Sequence, residues 1–189
     1  MLKRILAASV MFFSMNAFAA TSIEEVTLKI QKDMLAQAVS RALEWKVGDT
    51  NNYKLDMGFI QGTMVMAVRS YDSEGIWMTQ DVELGFAGKQ NMETLIDPNT
   101  GAVLKLLVNG KEQEPPKQEI EVIEIVDANI TVPAGTFNCM HIRLMDKTQN
   151  QEVNVWQTTS VPLSGMIKTV QPSQLGQVTI ELTSFTKIP

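Results

Sequence analysis

The 189-residue chain has a single cysteine and a single histidine, and they stand close together. Cys139 and His141 fall at i and i+2 in the alternating run Cys139-Met140-His141-Ile142-Arg143, which places both on one face of a strand together with Arg143. A thiolate–imidazole pair at that spacing could serve nucleophilic chemistry. The plainer reading is a strand face with a small buried thiol and a polar rim, because a free cysteine packs like a small apolar residue. With His141 the only imidazole, H-E-x-x-H sites and clusters of histidine ligands are excluded. Met64 and Met66 could present two thioethers on one strand face, but soft-metal binding would want Cys or His at matching spacing.

Paired carboxylates are the other catalytic candidates. Asp81 and Glu83 share a strand face, as do Glu119 and Glu121. Acid–base work of the glycosidase kind requires one of such a pair in an apolar pocket with a raised pKa, whereas solvated strand faces account for these residues without it. No G-x-S-x-G, Walker loop or G-x-G-x-x-G occurs. The expectation is a protein with no catalytic residue, no metal ligand and no cofactor, and hence no enzyme.

Methionine is the residue type that stands out. Met57, Met64, Met66 and Met78 crowd the first four strands, with Trp77 nearby and Trp156 in the second half of the chain. Met adapts its shape and suits apolar surfaces that accept varied ligands. These six residues are the candidate ligand-binding set, with ordinary core packing as the alternative for each.

The elements that must position them follow from periodicity. Ser22 with Glu25 makes a capping box, and Ile23, Val26, Ile30, Met34 and Ala38 fall on one helical stripe, predicting a helix that ends near Ser40. The period then changes to two. Leu43, Trp45 and Val47 alternate with charged residues before a turn at Gly48-Asp49, and Tyr53, Leu55, Met57 and Phe59 alternate after it. Gly62 to Ser70 is apolar on both faces and is expected to be covered on both. Ile76 to Leu84, Met92 to Ile96 and Val103 to Val108 are further strands, with turn chemistry in Asp97-Pro98-Asn99-Thr100-Gly101 and a hairpin signal in Asn109-Gly110.

Lys111 to Gln118, containing Pro115-Pro116, has linker character. Ile120 to Val126 resumes the sheet with a slip of apolar phase between Val122 and Ile123, which predicts a bulge. Thr136 to Met145, Glu152 to Thr158, Met166 to Val170 and Gln177 to Phe185 complete the set. The fold class is mainly β within α+β: one helix packed on a curved antiparallel sheet of about ten or eleven strands. A sheet that wide must curl, leaving a concave face for which the lone helix is the obvious plug.

Composition agrees, with 44% hydrophobic and 20% charged residues and a formal charge of −5. That suits a folded domain and excludes a disulfide scaffold, and the absence of a basic excess argues against nucleic acid as a partner. Lys3 and Arg4, the apolar run Ile5 to Phe13 and Ala17-Phe18-Ala19 read as a signal peptide cut after Ala19. The run falls short of the roughly 20 apolar residues of a span, and no later segment supplies one. Losing Lys3 and Arg4 would take the charge from −5 to −7. Residues 1–19 are thus expected as a targeting segment and 20–189 as one soluble, periplasmic domain.

The stretch Ile130-Thr131-Val132-Pro133-Ala134-Gly135-Thr136-Phe137, then Trp156, then Val161-Pro162-Leu163-Ser164-Gly165-Met166-Ile167-Lys168, resembles a pattern in uncharacterised exported bacterial proteins. Those proteins are similar in strand order to the LolA/LolB-like superfamily of periplasmic lipoprotein carriers. The resemblance implies an N-terminal helix and an unclosed β half-barrel with an apolar concave face. The expected function is non-catalytic binding of a lipid or other hydrophobic ligand, as a carrier or sensor. The alternative is a cell-envelope module that docks a protein partner and takes no small molecule.

Overall fold

The computed structural model describes residues 45–85, 88–114, 119–173 and 176–189. The targeting segment, the expected helix, Leu43 and Pro115-Pro116 lie outside the described residues. Eleven strands follow one another: β1 (Thr50–Asp56), β2 (Gln61–Tyr71), β3 (Ile76–Glu83), β4 (Lys89–Ile96), β5 (Val103–Val108), β6 (Lys111–Glu112), β7 (Ile120–Val132), β8 (Gly135–Asp146), β9 (Gln151–Gln157), β10 (Met166–Ser173) and β11 (Gly176–Thr186). They form one sheet in the order β6-β5-β4-β3-β2-β1-β11-β10-β9-β8-β7, and every pairing is antiparallel. The sheet is not closed into a barrel; β6 and β7 are its edges.

Two meanders, β1–β6 and β7–β11, meet where the first strand pairs with the last. Turn chemistry sets each reversal. Asn109 (φ 51°) and Gly110 (φ 76°) make the two-residue turn that pairs Val108 with Lys111, the positive-φ geometry that matches strand twist. Asp97 accepts from the Asn99 amide and the Thr100 hydroxyl, both at 2.8 Å, and these bonds hold its carboxyl below the usual range. In β7 the register shifts between Val122 and Glu124, the bulge that the slip of apolar phase predicts.

The sheet curls back on itself. β7 stands four strand positions from β11 in the sheet order, which in a flat sheet is roughly 19 Å. Yet the amide of Ala134, in the β7–β8 turn, donates to the Leu182 carbonyl of β11 at 3.1 Å. The Phe137 and Phe185 rings also stand 6.4 Å apart. Within β8 the buried side changes, from Cys139 near this turn to Ile142 and Leu144 farther along.

Alternation buries one face of most strands. Tyr53, Leu55 and Met57, then Met64, Met66 and Val68, then Ile76, Met78 and Val82 point inward, as do Val178, Ile180 and Leu182 across the seam. The structure departs from the periodicity in four places. Trp45 to Asp49 is a turn, not a strand, with the Asp49 amide donating to the Lys46 carbonyl. Phe59 leaves the β1 alternation for an exposed turn. β2 is wet on one side, because Val65 sits between Asn52 and Asp81 and stays exposed. The linker segment contributes a short strand, β6.

Candidate functional site

The inner face of the first meander forms a grid whose rows follow from the register. One row runs Tyr53–Met64–Val82–Gln90, and the next runs Asn51–Met66–Gln80–Met92–Val108. A third runs Val68–Met78–Thr94–Leu106. Every residue of these rows is buried. Three of the four candidate methionines therefore lie side by side here, and Met57 is buried one position beyond β1. Gly62, across from Leu55, admits no side chain, since a Cβ there would lie 2.3 Å from the Glu83 carbonyl oxygen.

Trp77 and Trp156 are on the other face. Trp77 alternates with the buried Ile76 and Met78 and is half-buried opposite Leu95. Trp156 lies between the buried Val155 and Gln157 and stacks on His141, with 4.3 Å between centroids and an interplanar angle of 2°. Lys168 stands 6.0 Å from the Trp156 ring. In strand order Trp77 and Trp156 are five positions apart, roughly 24 Å along a flat sheet. The structure gathers the methionines and separates the tryptophans from them.

Sequence reasoning passed over the polar members of the grid. Gln80 and Thr94 are fully buried and Gln90 is 3% exposed. Both amide atoms of Gln80, both of Gln90 and the Thr94 hydroxyl have no hydrogen-bond partner among the described residues. Each buried polar group left unmatched costs about 1–3 kcal/mol. A signal was present in the sequence: Gln80 is in phase with Met78 and Val82, and Gln90 and Thr94 are in phase with Met92.

A second buried polar cluster is hydrogen-bonded through Asn51 Nδ2 and the Tyr53 hydroxyl, with Asn51 Oδ1 left unpartnered among the described residues. Asn51 Nδ2 donates to the Tyr53 hydroxyl and to the Pro162 carbonyl, both at 3.0 Å, and the Tyr53 hydroxyl donates to the Met166 carbonyl at 3.2 Å. Burial pushes the Tyr53 phenol well above its ordinary value, against smaller opposing effects of Asn51 and Ser164. This cluster holds the Val161-Pro162-Leu163-Ser164-Gly165 loop, all of it buried, against β1. Leu163 (φ 57°) and Gly165 (φ 70°) both take left-handed backbone there.

The catalytic candidates are not assembled. The Cys139 thiol points at the Ala128 carbonyl at 3.6 Å, and burial raises its pKa. His141 Nε2 is 2.8 Å from Asn154 Oδ1. Asp81 accepts from Asn91, while Glu83 pairs with Lys89 and Glu121 with Lys147, all on exposed strand surface. Among the described residues no group of three or more His, Cys, Asp or Glu could hold a metal ion. No helix among them is long and apolar enough to cross a membrane.

No protein-family model and no curated protein matches this chain. Among solved structures it is similar to MucB, at 9% identity and a TM-score of 0.43, over 83% of this chain and 59% of that one. It is similar to the MucA/MucB complex of Pseudomonas aeruginosa, at 9% identity and a TM-score of 0.47, over 84% and 58%. It is also similar to the hypothetical protein CT021 from Chlamydia trachomatis, at 11% identity and a TM-score of 0.48, over 82% and 95%. The chain spans less than two thirds of MucB's own length.

Proposed function

We propose that this is a non-catalytic periplasmic protein of the LolA-like kind, exported by residues 1–19 and processed after Ala19. Residues 20–189 form one domain that binds an apolar ligand or acyl chain against the inner sheet face, as a carrier or sensor. The carrying observation is the buried grid of Met64, Met66, Met78 and Met92, in which uncharged polar groups stand unmatched. An interior built only for packing gains nothing from unpaired amides. The test is native mass spectrometry of the exported protein, sprayed without detergent. A releasable adduct with the mass of a fatty acid or phospholipid is expected. A clean apo mass that persists after incubation with lipids would refute the reading.

One feature favours the alternative of an envelope docking module. Edge strand β7 exposes Ile123, Ile125 and Val126 at 44%, 40% and 42%. A long apolar edge strand is a template for an added strand. On that reading, Ile123→Lys with Val126→Lys abolishes partner capture and leaves the melting temperature unchanged; capture that survives the double substitution removes β7 from consideration.

A further inference from the structure

We infer that the inner face of β3 and β4 recognises a neutral hydrogen-bonding group, an amide, carried on an apolar chain. The inference rests on the ligand-binding reading above and names the chemistry of the ligand. Gln80 is directly opposite Met92, so Gln90 and Thr94 are its two diagonal neighbours across the β3–β4 pair. Diagonal positions lie roughly 7–8 Å apart, within reach of long side chains. The three side chains nevertheless make no bond to one another. A ligand group seated between them can meet all three.

The character of the three side chains sets the chemistry of that group. Each glutamine offers a carbonyl oxygen and an NH2, and Thr94 offers a hydroxyl, so the site both donates and accepts. A carboxylate only accepts and would leave Gln80 Oε1 and Gln90 Oε1 unmatched. No Lys or Arg stands in the three rows to neutralise such a charge, and burying an unpaired charge is far costlier than burying an amide. A pure hydrocarbon matches the methionines and leaves every polar atom unsatisfied. An amide supplies a donor and an acceptor at once, and a site built to hydrogen-bond a group discriminates against analogues that lack it.

The experiment is equilibrium dialysis of the exported protein against labelled oleamide, oleate and octadecane, each delivered from cyclodextrin. Oleamide is expected to bind about tenfold more tightly than either of the others. Gln80→Leu with Gln90→Leu should abolish that preference and retain octadecane. Gln80→Met and Gln90→Met, each near-isosteric, should melt above the parent protein, because each removes an orphaned amide. Equal binding of all three probes to the parent protein would overturn the amide assignment and leave the ligand-binding reading standing. Binding of none would overturn that reading and the inference with it. Melting of both single Met variants below the parent would show that the amides are satisfied and would overturn the inference alone.

Discussion

Replacing Tyr53 with phenylalanine removes one oxygen from a buried hydrogen-bonded cluster. The ring stays, so packing is preserved, and the loss falls on the hydrogen bonds of the hydroxyl, chiefly two. The Tyr53 hydroxyl accepts from Asn51 Nδ2 at 3.0 Å and donates to the Met166 carbonyl at 3.2 Å. Each bond contributes about 1 kcal/mol net, and the two groups left behind are buried, so the expected loss is about 2 kcal/mol. For a chain of this size that corresponds to a fall in melting temperature of roughly 4–8 °C.

Alkaline pH supplies the discriminating readout. Burial raises the Tyr53 pKa in the folded state, so its contribution is fully present below the unfolded value of about 10 and is lost as pH rises toward the folded value. The protein has only two tyrosines, and Tyr71→Phe isolates Tyr53 for spectrophotometric titration. In that background the phenolate band should appear together with loss of near-ultraviolet circular dichroism. Tyr53→Phe should remove this part of the alkaline instability. Titration of Tyr53 near pH 10 with the fold intact, or an unchanged melting temperature, would refute the account of this cluster.

Gly165→Ala should destabilise by about 2 kcal/mol or more, because φ is 70° and the new Cβ would lie 2.4 Å from the Thr158 carbonyl oxygen; a urea midpoint equal to the parent's would contradict this. For Glu181, burial raises the carboxyl pKa, but the bonds from Lys168 and Lys54 outweigh it and the net shift is downward. Its contribution is therefore present above the unfolded value and lost as pH falls through the folded one. Glu181→Gln should cost about 1 kcal/mol at pH 7 and little at pH 3, read from urea unfolding at both. Cys139 should react with a thiol reagent many times more slowly in the folded protein than in urea, since burial raises its pKa and thiolate is the reactive form; equal rates would place the thiol in solvent.

The strands were legible because alternation and turn residues are local. Asn109-Gly110 foretells a hairpin, and the slip at Val122 foretells a bulge in β7, without knowledge of any distant contact. Trp45 and Val47 mislead because three residues can alternate by chance, and the turn at Gly48 holds them instead. Phe59 misleads because Gly58 (φ 80°) ends β1 before it. In the candidate site, Trp77 and Met78 are neighbours in sequence, yet adjacent residues of a strand must face opposite ways. The orphaned amides were harder to see. Gln80 reads as a surface residue until the register places it between Met66 and Met92.

The place where β1 meets β11 has a consequence for how the chain comes to be folded. Each meander closes through hairpins between neighbours, so each can form as soon as its own residues are present. The seam joins residues such as Thr50 and Thr186, nearly the length of the described chain apart, so it forms last. Until Gly176–Thr186 arrives, β1 is a free edge, with its amides and carbonyls open to any extended chain nearby. A chain delivered from its N-terminus passes through such a half-sheet, and one truncated before Gly176 never leaves it. A break between β6 and β7, by contrast, would fall outside both meanders, and the two pieces would carry complementary edges through which to find each other.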